Sequence, residues 1–545
     1  MRVERPASVT RCRLRLIVLA IVALILSPGI ARSQGLHGVL IGVVNDEQGG
    51  VLAGARITLS SPALIGGPLT LLTNDRGQLR FVALPPGLYS IRIELQGFLP
   101  YTEGDLRIGP GATTETSPVL RMAGQAESIV VRGERSHLEA RNPGFGTLFG
   151  EELQQIPARR AGMFDAIRFA PGISPTSPSS GMVTTISAFG SGTNENHFLF
   201  DGTNFTCPCS GIARAEPGTD FIQEVHVQSV GASAEYGNMQ GAVINVITRQ
   251  GSERFLFDAA YYAQTDRLTS HPVELAYIGS GGGVSTYRRR RLRDATMNLG
   301  GPAIRDRLWF FAGYQALRDL DSQPGTDPAF PRQYEQDKVF GKLTWKLGAA
   351  LRLEQSFHGE FGLNPERPTI VTPFEAIARR EVSVPATTFG HLTHAASANT
   401  LWDVRVGRFV YSQDDSSPDG STTTPSRLDR TSGVTSGAPP RIGSIRIMRT
   451  TAKGTLSRYL SGLPGADHQL KIGGQLERGE HDSQAVIPTG DTQTIRNDLV
   501  SRCRHRTQMA PALAALSALH ELLPSVAQEV RLKVQDNLRR TALTA

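Results

Sequence analysis

The stretch that decides the fold is EVHVQSVGASAEYGNMQGAVINVITRQG, residues 224–251. It contains two apolar runs, Val225–Val230 and Ala242–Thr248, with a glycine-rich connection between them. β-Branched residues dominate the second run, and such residues favour a pleated, half-buried surface. Glycines adopt backbone conformations that other residues resist, which suits the connection to a turn. We therefore predict two strands and a tight connection, a pattern that by itself names no function.

The composition favours a protein rich in strands and turns. The 545 residues include 57 Gly and 33 Pro, and 39% are hydrophobic. Beyond the N-terminus no apolar run is long enough for a membrane helix, which argues against a helical membrane protein. The net charge of +7 would permit nucleic-acid binding, but no zinc finger, helix-turn-helix or aromatic RNA-binding motif accompanies it. We interpret the charge as a solvated surface with local basic patches and expect no nucleic-acid partner.

Residues 1–33 have the pattern of a secretory signal peptide. Several arginines precede an apolar core at Leu16–Leu26, and Ala31-Arg32-Ser33 offers small residues for cleavage. The alternative is an uncleaved anchor helix, but the core is short for a span of about 20 residues. An exported chain without a further membrane helix would have to enter a membrane as a closed β-barrel, because only helices and barrels satisfy every backbone group in lipid.

Residues 35–122 predict a small antiparallel β-sandwich of about seven short strands. Polar and apolar residues alternate over Tyr89–Leu95, and Pro85-Pro86-Gly87 marks a turn. The pattern GxVxD, GAxI, TxxxGxLxF, LPPGxY and GF resembles the carboxypeptidase regulatory-like domain, which has a carbohydrate-binding-like fold. No zinc-protease motif lies here, and His37 is the one imidazole, so we expect no peptidase activity.

Residues 141–250, which include most of the opening stretch, resemble the plug of TonB-dependent outer-membrane receptors. The segments SAEYG and GxVINVITRxG carry the resemblance, together with Asp165 and the run IRFAPGI at residues 167–173. The pattern predicts short helices at Glu151–Ile156 and Met163–Ala170, and a strand at Asn196–Phe200. We interpret Asp201-Gly202 as a turn, because Asp-Gly is a preferred turn pair and no second carboxylate lies beside it in sequence.

Residues 126–133 form a short β-prone segment directly before the plug. Its core is Ser128, Ile129, Val130 and Val131. One interpretation is the last strand or linker of the first domain. The other is a TonB box, an extended segment that adds as a strand to the periplasmic TonB protein, where backbone hydrogen bonds demand little side-chain specificity. The position ahead of a plug-like sequence favours the TonB box.

Residues 251–500 predict part of a transmembrane antiparallel β-barrel with nine strands. Strands of about 10 residues and alternating short and long connections are typical of such barrels. Side chains alternate too: Leu343 and Trp345 oppose Lys342 and Thr344, whereas Arg408 breaks the alternation. A soluble β-sandwich is the alternative. The predicted strands are Phe255–Gln264, Asp294–Gly301, Leu308–Leu317, Lys338–Leu347, Leu351–Phe361, Ala386–Ala396, Leu401–Ser412, Ser444–Arg458 and Gln469–Arg478.

The resemblance implies a 22-stranded barrel, whereas nine strands are an odd number that would leave an edge open in lipid. Residues 501–545 form an atypical tail, Ala- and Leu-rich with helical spacing over Ala510–Val530. We therefore expect a C-terminally truncated or frame-shifted reading of a longer receptor. A short barrel that closes by oligomerising is the alternative.

Three further features have plain structural interpretations. Cys207-Pro208-Cys209 suits a small disulfide loop, or a bond with another chain, at least as well as a metal, because no further ligands complete a set. His391 and His394 are the nearest approach to a metal pair, but no third ligand is near in sequence. The run Arg288–Arg291 with Arg293 predicts a solvated loop at the outer rim. We assign no metal and no cofactor.

The fold class predicted is thus all-β dominated: a small β-sandwich, an α+β plug and part of a barrel. The resemblance implies an outer-membrane receptor that takes up a scarce solute, such as a glycan, peptide or metal chelate, into the periplasm. Its expected partners are the TonB complex, outer-membrane lipid and an extracellular ligand. No catalytic residues are expected, so a secreted enzyme is the least favoured function. The main alternative is an exported carbohydrate- or protein-binding fragment without transport activity.

Overall fold

The computed structural model describes residues 37–123 (except 110 and 112), 130–131, 146–149, 163–176, 185–228, 239–268, 288–322, 326, 330–397 (except 367 and 370), 399–463 and 466–488. Regular structure in these ranges is almost entirely β-strand, which confirms the predicted fold class. None of the helices found there has both the length and the apolar character needed to cross a membrane. The signal peptide at 1–33, the helix at 151–156 and the tail at 501–545 lie outside the described residues.

The first domain consists of two facing sheets and a short strand pair. One sheet has the order β5-β1-β8, the other contains β7-β6-β3-β4, and β2 pairs with β9. Its strands are β1 Gly38–Val43, β2 Asn45–Asp46, β3 Arg56–Ser60, β4 Leu69–Leu72, β5 Gln78–Leu84, β6 Gly87–Glu94, β7 Tyr101–Ile108, β8 Thr113–Thr116 and β9 Val119–Leu120.

Two strand pairs of this domain differ from the predicted antiparallel arrangement. β8 runs parallel to β1, and β9 runs parallel to β2. The chain passes through the second sheet before it returns beside β1, so it re-enters in the same direction as that strand. The alternation predicted for β6 is confirmed, because Tyr89, Ile91 and Ile93 are buried in the domain core.

The plug region contains a mixed five-stranded sheet in the order β11-β16-β17-β14-β15 and a separate hairpin, β12-β13. The two strands predicted from the opening stretch are present as β16 and β17, which pair antiparallel, and every residue of β17 is buried. The elements are β10 Val130–Val131, β11 Gly146–Phe149, helix α1 Met163–Ile167, β12 Ile173–Thr176, β13 Thr185–Ala188, β14 His197–Phe200, β15 Thr203–Asn204, β16 Ile222–Gln228 and β17 Val243–Thr248.

The remaining strands form one nine-stranded antiparallel sheet, here called the strand wall, with strands paired in chain order. A small hairpin, β25 Ser426–Leu428 and β26 Thr435–Gly437, lies in one of its long connections. The wall strands are β18 Leu256–Thr265, β19 Arg288–Ile304, β20 Leu308–Ser322, β21 Arg332–Lys346, β22 Leu351–Leu363, β23 Arg379–Ser397, β24 Thr400–Ser416, β27 Ile442–Leu463 and β28 Ala466–Val486.

The number and order of the wall strands agree with the sequence prediction, but most strands are longer. The extension is mainly at the end of the wall where the long connections lie, here called the outer end; the short connections define the inner end. At the outer end the strands stay paired beyond the point where their outward-facing residues change from apolar to polar. The predicted strands stop at that point, because the prediction relied on alternating polar and apolar residues. The run Arg288–Arg291 is therefore in β19 and not in a loop, and Arg289 Nε lies 3.2 Å from Asp319 Oδ1 on β20.

The two faces of the wall follow the predicted alternation. Leu343 and Trp345 point outward and are 39% and 46% exposed, whereas Lys342 and Thr344 point inward and are buried. Arg408 does not interrupt its strand: it lies on the outward face, and β24 continues to Ser416. An apolar outer face is what a lipid-facing wall requires.

The inward face differs from the wet lumen that the sequence predicts, because aromatic residues of the wall pack against the plug. Phe200 of β14 stacks on Phe389 with ring centroids 5.1 Å apart, and Phe221 stacks on Phe340 at 5.8 Å. These rings belong to one buried cluster that plug and wall share. Full burial of a Phe side chain stabilises a fold by about 1.5–3 kcal/mol, so this cluster fixes the plug sheet against the wall.

Candidate functional site

A charged cavity lies at the outer end of the interface between plug and wall. Its volume is about 30 Å³, which suffices for roughly two water molecules. The plug contributes two residues to it, and the ends of four wall strands contribute the rest. The lining residues are Arg214, Glu216, Tyr334, Glu335, Gln336, Glu360, Gly362, Asn364, Arg380, Val382, Tyr411 and Gln413.

Arg214 of the plug supplies a buried positive charge to this cavity. The residue is 8% exposed, and its guanidinium carbon lies 5.2 Å from the ring centroid of Tyr411, a cation–π distance. Its Nε and Nη1 atoms are buried without a hydrogen-bond partner among the described residues. Unpaired guanidinium donors are costly to bury, and a carboxylate or phosphate oxygen would give such a donor a charged partner. The cavity is therefore suited to an anionic group.

Glu216 of the plug is tied to the wall by backbone contacts. Its N–H donates to Glu360 Oε1, and its carbonyl accepts from Lys338 Nζ, both at 2.5 Å. Glu360 also accepts from Gln336 at 3.0 Å and lies 2.7 Å from His358 Nε2. These wall residues are buried, so their charges compensate one another away from water.

A second set of charges joins plug and wall toward the inner end. Lys342 Nζ lies 3.2 Å from Asp201 Oδ2 and 3.4 Å from Glu354 Oε2. Asp201 also accepts from the N–H of Thr248 at 3.0 Å and from its hydroxyl at 2.6 Å. Arg352 Nε lies 3.0 Å from Glu354 Oε1. We call Asp201, Thr248, Lys342, Arg352 and Glu354 the inner network.

Asp201 has the turn role that the sequence predicts and a contact that it does not. Asp201 and Gly202 have φ values of 46° and 75°, and they connect β14 to β15 as the two-residue loop of a hairpin. Positive φ at both positions is typical of a type I′ turn, which favours Asp-Gly. The turn directs the Asp201 carboxylate toward Lys342.

The first domain lies against the inner end of the wall. The Arg80 guanidinium stacks on Tyr459 at 3.8 Å, near the short connection between β27 and β28. Gln250 connects all three parts: its Nε2 donates to the carbonyl of Ala63 at 3.3 Å, and its Oε1 accepts from Arg352 at 2.8 Å. The segment that connects the plug to the wall is therefore also in contact with the first domain.

The four residues of the candidate TonB box are only partly described. Val130 and Val131 form β10, which pairs in parallel with Thr102 and Glu103 on the edge of the first domain, whereas Ser128 and Ile129 lie outside the described residues. This pairing is the one expected for a last strand of the first domain. Val130 and Val131 are extended in this pairing.

The structure brings the two cysteines of the predicted pair together but separates the two histidines. Cys207 Sγ and Cys209 Sγ are 2.9 Å apart as two thiols, and their hydrogen bond lowers the pKa of Cys207 and raises that of Cys209. His391 is buried inside the wall, whereas His394 is exposed on the other face. Residues three apart on a strand point to opposite faces, so these two histidines cannot share a ligand.

Sequence reasoning missed most of the cavity and the inner network. Lys342 was placed on the inward face by alternation, but its partner Asp201 is 141 residues away. Nothing in the local pattern of Arg214 distinguishes it from a surface arginine. One signal in the sequence was that Lys338 and Lys342 are an even number of residues from the other inward-facing positions of β21. Charged side chains at inward positions of a wall need partners inside it.

Comparison with known proteins places these observations in a family context. The family model for the carboxypeptidase regulatory-like domain matches residues 39–121. The TonB-dependent transporter Oar of Myxococcus xanthus is 27% identical over 358 residues, which is 60% of this chain and 33% of that protein. The chain thus spans about a third of the length of this curated relative.

Solved structures of outer-membrane proteins are also similar. The outer membrane transporter YddB of Escherichia coli has a TM-score of 0.49 at 16% identity, over 62% of this chain and 48% of that one. The siderophore receptor PirA of Acinetobacter baumannii has a TM-score of 0.46 at 14% identity, over 62% and 48%.

The regulatory-domain match falls on the residues that led to the prediction of that domain, and the similarity to Oar agrees with the family prediction. That prediction is confirmed. The chain carries an N-terminal carboxypeptidase regulatory-like domain and is similar to a TonB-dependent outer-membrane transporter.

Proposed function

We propose that this chain acts in the outer membrane of a Gram-negative cell, where it binds a scarce solute outside and passes it to the periplasm with energy supplied through TonB. The observation that carries the proposal is the composition of the outer cavity. Plug residues Arg214 and Glu216 form part of a cavity whose other walls are the ends of wall strands. A solute bound there would contact the plug directly, which is what coupling of binding to plug movement requires.

The solute proposed is one with an exposed anionic group, such as an acidic glycan, an acidic peptide or a carboxylate-bearing metal chelate. Arg214 supports this class because its Nε and Nη1 atoms are buried without a hydrogen-bond partner among the described residues. The cavity itself is too small for such a solute. It would receive the anionic group while the rest of the solute lies above it, between the long connections.

The anion proposal is tested with a panel of the three solute classes, titrated calorimetrically against the purified chain. Loss of one partner of a buried charged pair costs about 2–5 kcal/mol, so Arg214→Gln should weaken binding of the recognised solute by roughly 30-fold or more. Arg379→Gln is the control, since Arg379 pairs with Glu381 on the exposed side of the wall. Equal affinity of the two variants, or selection of an uncharged solute, would contradict the proposal.

The energy-coupling role is proposed for Ser128, Ile129, Val130 and Val131. Deletion of these four residues should abolish energised uptake and binding to the purified periplasmic domain of TonB, while solute binding stays unchanged. Deletion of Ser136–Glu139, in the same segment before the plug, is the matched control. Unchanged uptake by the first deletion would refute the assignment. Val130 and Val131 form the edge strand beside β7, so TonB would either add to the outer side of that strand or displace it from β7.

Membrane location has its own test. A receptor of this kind should resist extraction by salt and show heat-modifiable mobility in gels, because a closed barrel withstands detergent until it is heated. Recovery of the chain in the soluble periplasmic fraction would instead favour the exported binding fragment.

A further inference from the structure

Two histidines and one aspartate meet where the first domain touches the inner end of the wall. His37 comes directly before β1, His391 lies on β23, and Asp403 lies on the neighbouring strand β24. All three are buried, with 8%, 7% and 2% of their surface exposed. One ligand atom from each lies within 4.8 Å of the others. The three residues therefore converge from two parts of the fold.

The distances within this cluster are compatible with a small metal ion at its centre. His391 Nε2 lies 2.9 Å from Asp403 Oδ2, and His37 Nδ1 lies 3.7 Å from the same oxygen. Ligand atoms about 2.0–2.2 Å from a tetrahedral zinc ion are roughly 3.3 Å apart, which falls between these two values. His37 Nδ1 is buried and has no hydrogen-bond partner among the described residues. A metal at the centre would give that nitrogen a partner.

The surroundings orient the proposed ligands. On the far side of the His391 ring, Nδ1 faces Glu354 Oε2 at 3.9 Å, and Glu354 is the direct cross-strand neighbour of His391. A carboxylate behind a ligating imidazole fixes its tautomer and raises its basicity. Thr393 Oγ1 lies 3.1 Å from His391 Nε2, and Arg405 Nε lies 3.4 Å from the other Asp403 oxygen. Asp403 Oδ1 thus faces the Arg405 charge, whereas Oδ2 faces the two histidines.

Room for a fourth ligand exists beside the cluster. A cavity of about 40 Å³ is lined by His37, His391, Glu354 and the turn Pro85-Pro86. That volume accommodates a water molecule. Three protein ligands and one water complete a tetrahedral set, and two imidazoles with one carboxylate are donors that zinc accepts.

We propose that His37, His391 and Asp403 bind a divalent transition metal of the zinc class, with Glu354 as the residue that orients His391. Because His37 belongs to the first domain and the other two ligands to the wall, the metal would fasten that domain to the inner end of the wall. The inference is independent of the proposed solute, since it concerns the opposite end of the molecule.

The proposal is tested by metal titration of the purified full chain in detergent, stripped with chelator and carrying Cys207→Ser and Cys209→Ser so that thiolates cannot compete. We expect one Zn²⁺ per chain by calorimetry, and Co²⁺ should show the intense visible bands of a four- or five-coordinate site. His37→Gln should weaken Zn²⁺ binding by about 100-fold or more, and Glu354→Gln by about 10-fold. His394→Gln, on the exposed face of β23, should bind as the parent does.

A fastening role predicts one further readout. Zn²⁺ should raise the unfolding temperature of the parent and of His394→Gln, but not that of His37→Gln. The unfolding temperature of the metal-free His37→Gln chain, measured beside that of the metal-free parent, separates lost binding from lost folding. Absence of saturable Zn²⁺ binding, or equal affinity of His37→Gln and His394→Gln, would overturn the assignment.

Discussion

Replacement of Lys342 by methionine should loosen the plug. The substitution keeps the chain length nearly constant and removes the charge that faces Asp201 at 3.2 Å and Glu354 at 3.4 Å. Breaking a buried ion pair by removal of one partner costs about 3–5 kcal/mol. Glu354 keeps Arg352, and Asp201 keeps two hydrogen bonds from Thr248. We therefore expect a loss at the lower end of that range, about 3 kcal/mol.

Hydrogen exchange at the amides of β17 measures this loss directly, because exchange there requires the plug sheet to open. Since 1.4 kcal/mol corresponds to a factor of ten, about 3 kcal/mol should accelerate exchange by roughly 150-fold. Lys346→Met is the matched control: it lies on the same strand and face, and no ion pair involves it among the described residues. If the two variants exchange within threefold of each other, the inner network does not hold the plug.

Two other changes test the packing and the protonation of the plug. Gly407→Ala should destabilise the plug by about 1–3 kcal/mol, because an added Cβ would lie 1.9 Å from Thr203 Cγ2. Gly341→Ala is the control, since its Cβ would meet nothing within 4 Å. Equal proteolysis rates of the two variants would contradict this prediction. Burial lowers the pKa of His226 from 6.5 to about 4, so the unfolded chain binds more protons in this window and plug stability should fall as pH drops from 6.5 to 4. His226→Gln should make that dependence shallower, while His197, whose pKa burial also lowers, retains its share. An unchanged pH dependence of the unfolding free energy in urea would refute the assignment.

Strand content and the direction of side chains were predictable because both follow from a period of two along the chain. β16, β17 and all nine wall strands are found where alternation or apolar runs place them. The outer ends of the strands were not predictable by the same means. Around Arg289 the alternation of polarity is lost, and the strand is maintained by a cross-strand partner, Asp319, that only the fold brings near.

On the inward face of the wall, the two-residue alternation predicts which side chains point inward but not what they contact. Lys338, Phe340 and Lys342 share one face of β21, and the pattern alone reads this as a mixed, wet lumen. The structure gives each a different plug partner: the carbonyl of Glu216, the ring of Phe221 and the carboxylate of Asp201. Alternation identifies the face, but partners that are more than 100 residues away in sequence are set by the plug's position alone.

The arrangement of charges along β21 and β22 limits how the plug can be released. Lys338 and Glu360 hold the plug near the outer cavity, and Lys342 and Glu354 hold it near the inner end. Four residues of strand separate the two lysines, roughly 13 Å. Under the proposed function, a solute at Arg214 would lie near the outer pair and roughly 13 Å from the inner network, so its binding would not contact that network. Under that proposal, release would need a second action at the inner end, where Gln250 links the inner network to the first domain. A force applied to the plug from the inner end would act on the inner network before it acts on the outer contacts. Under the proposed function, the ion pairs of Lys342 rather than the contact of Lys338 would therefore oppose plug release.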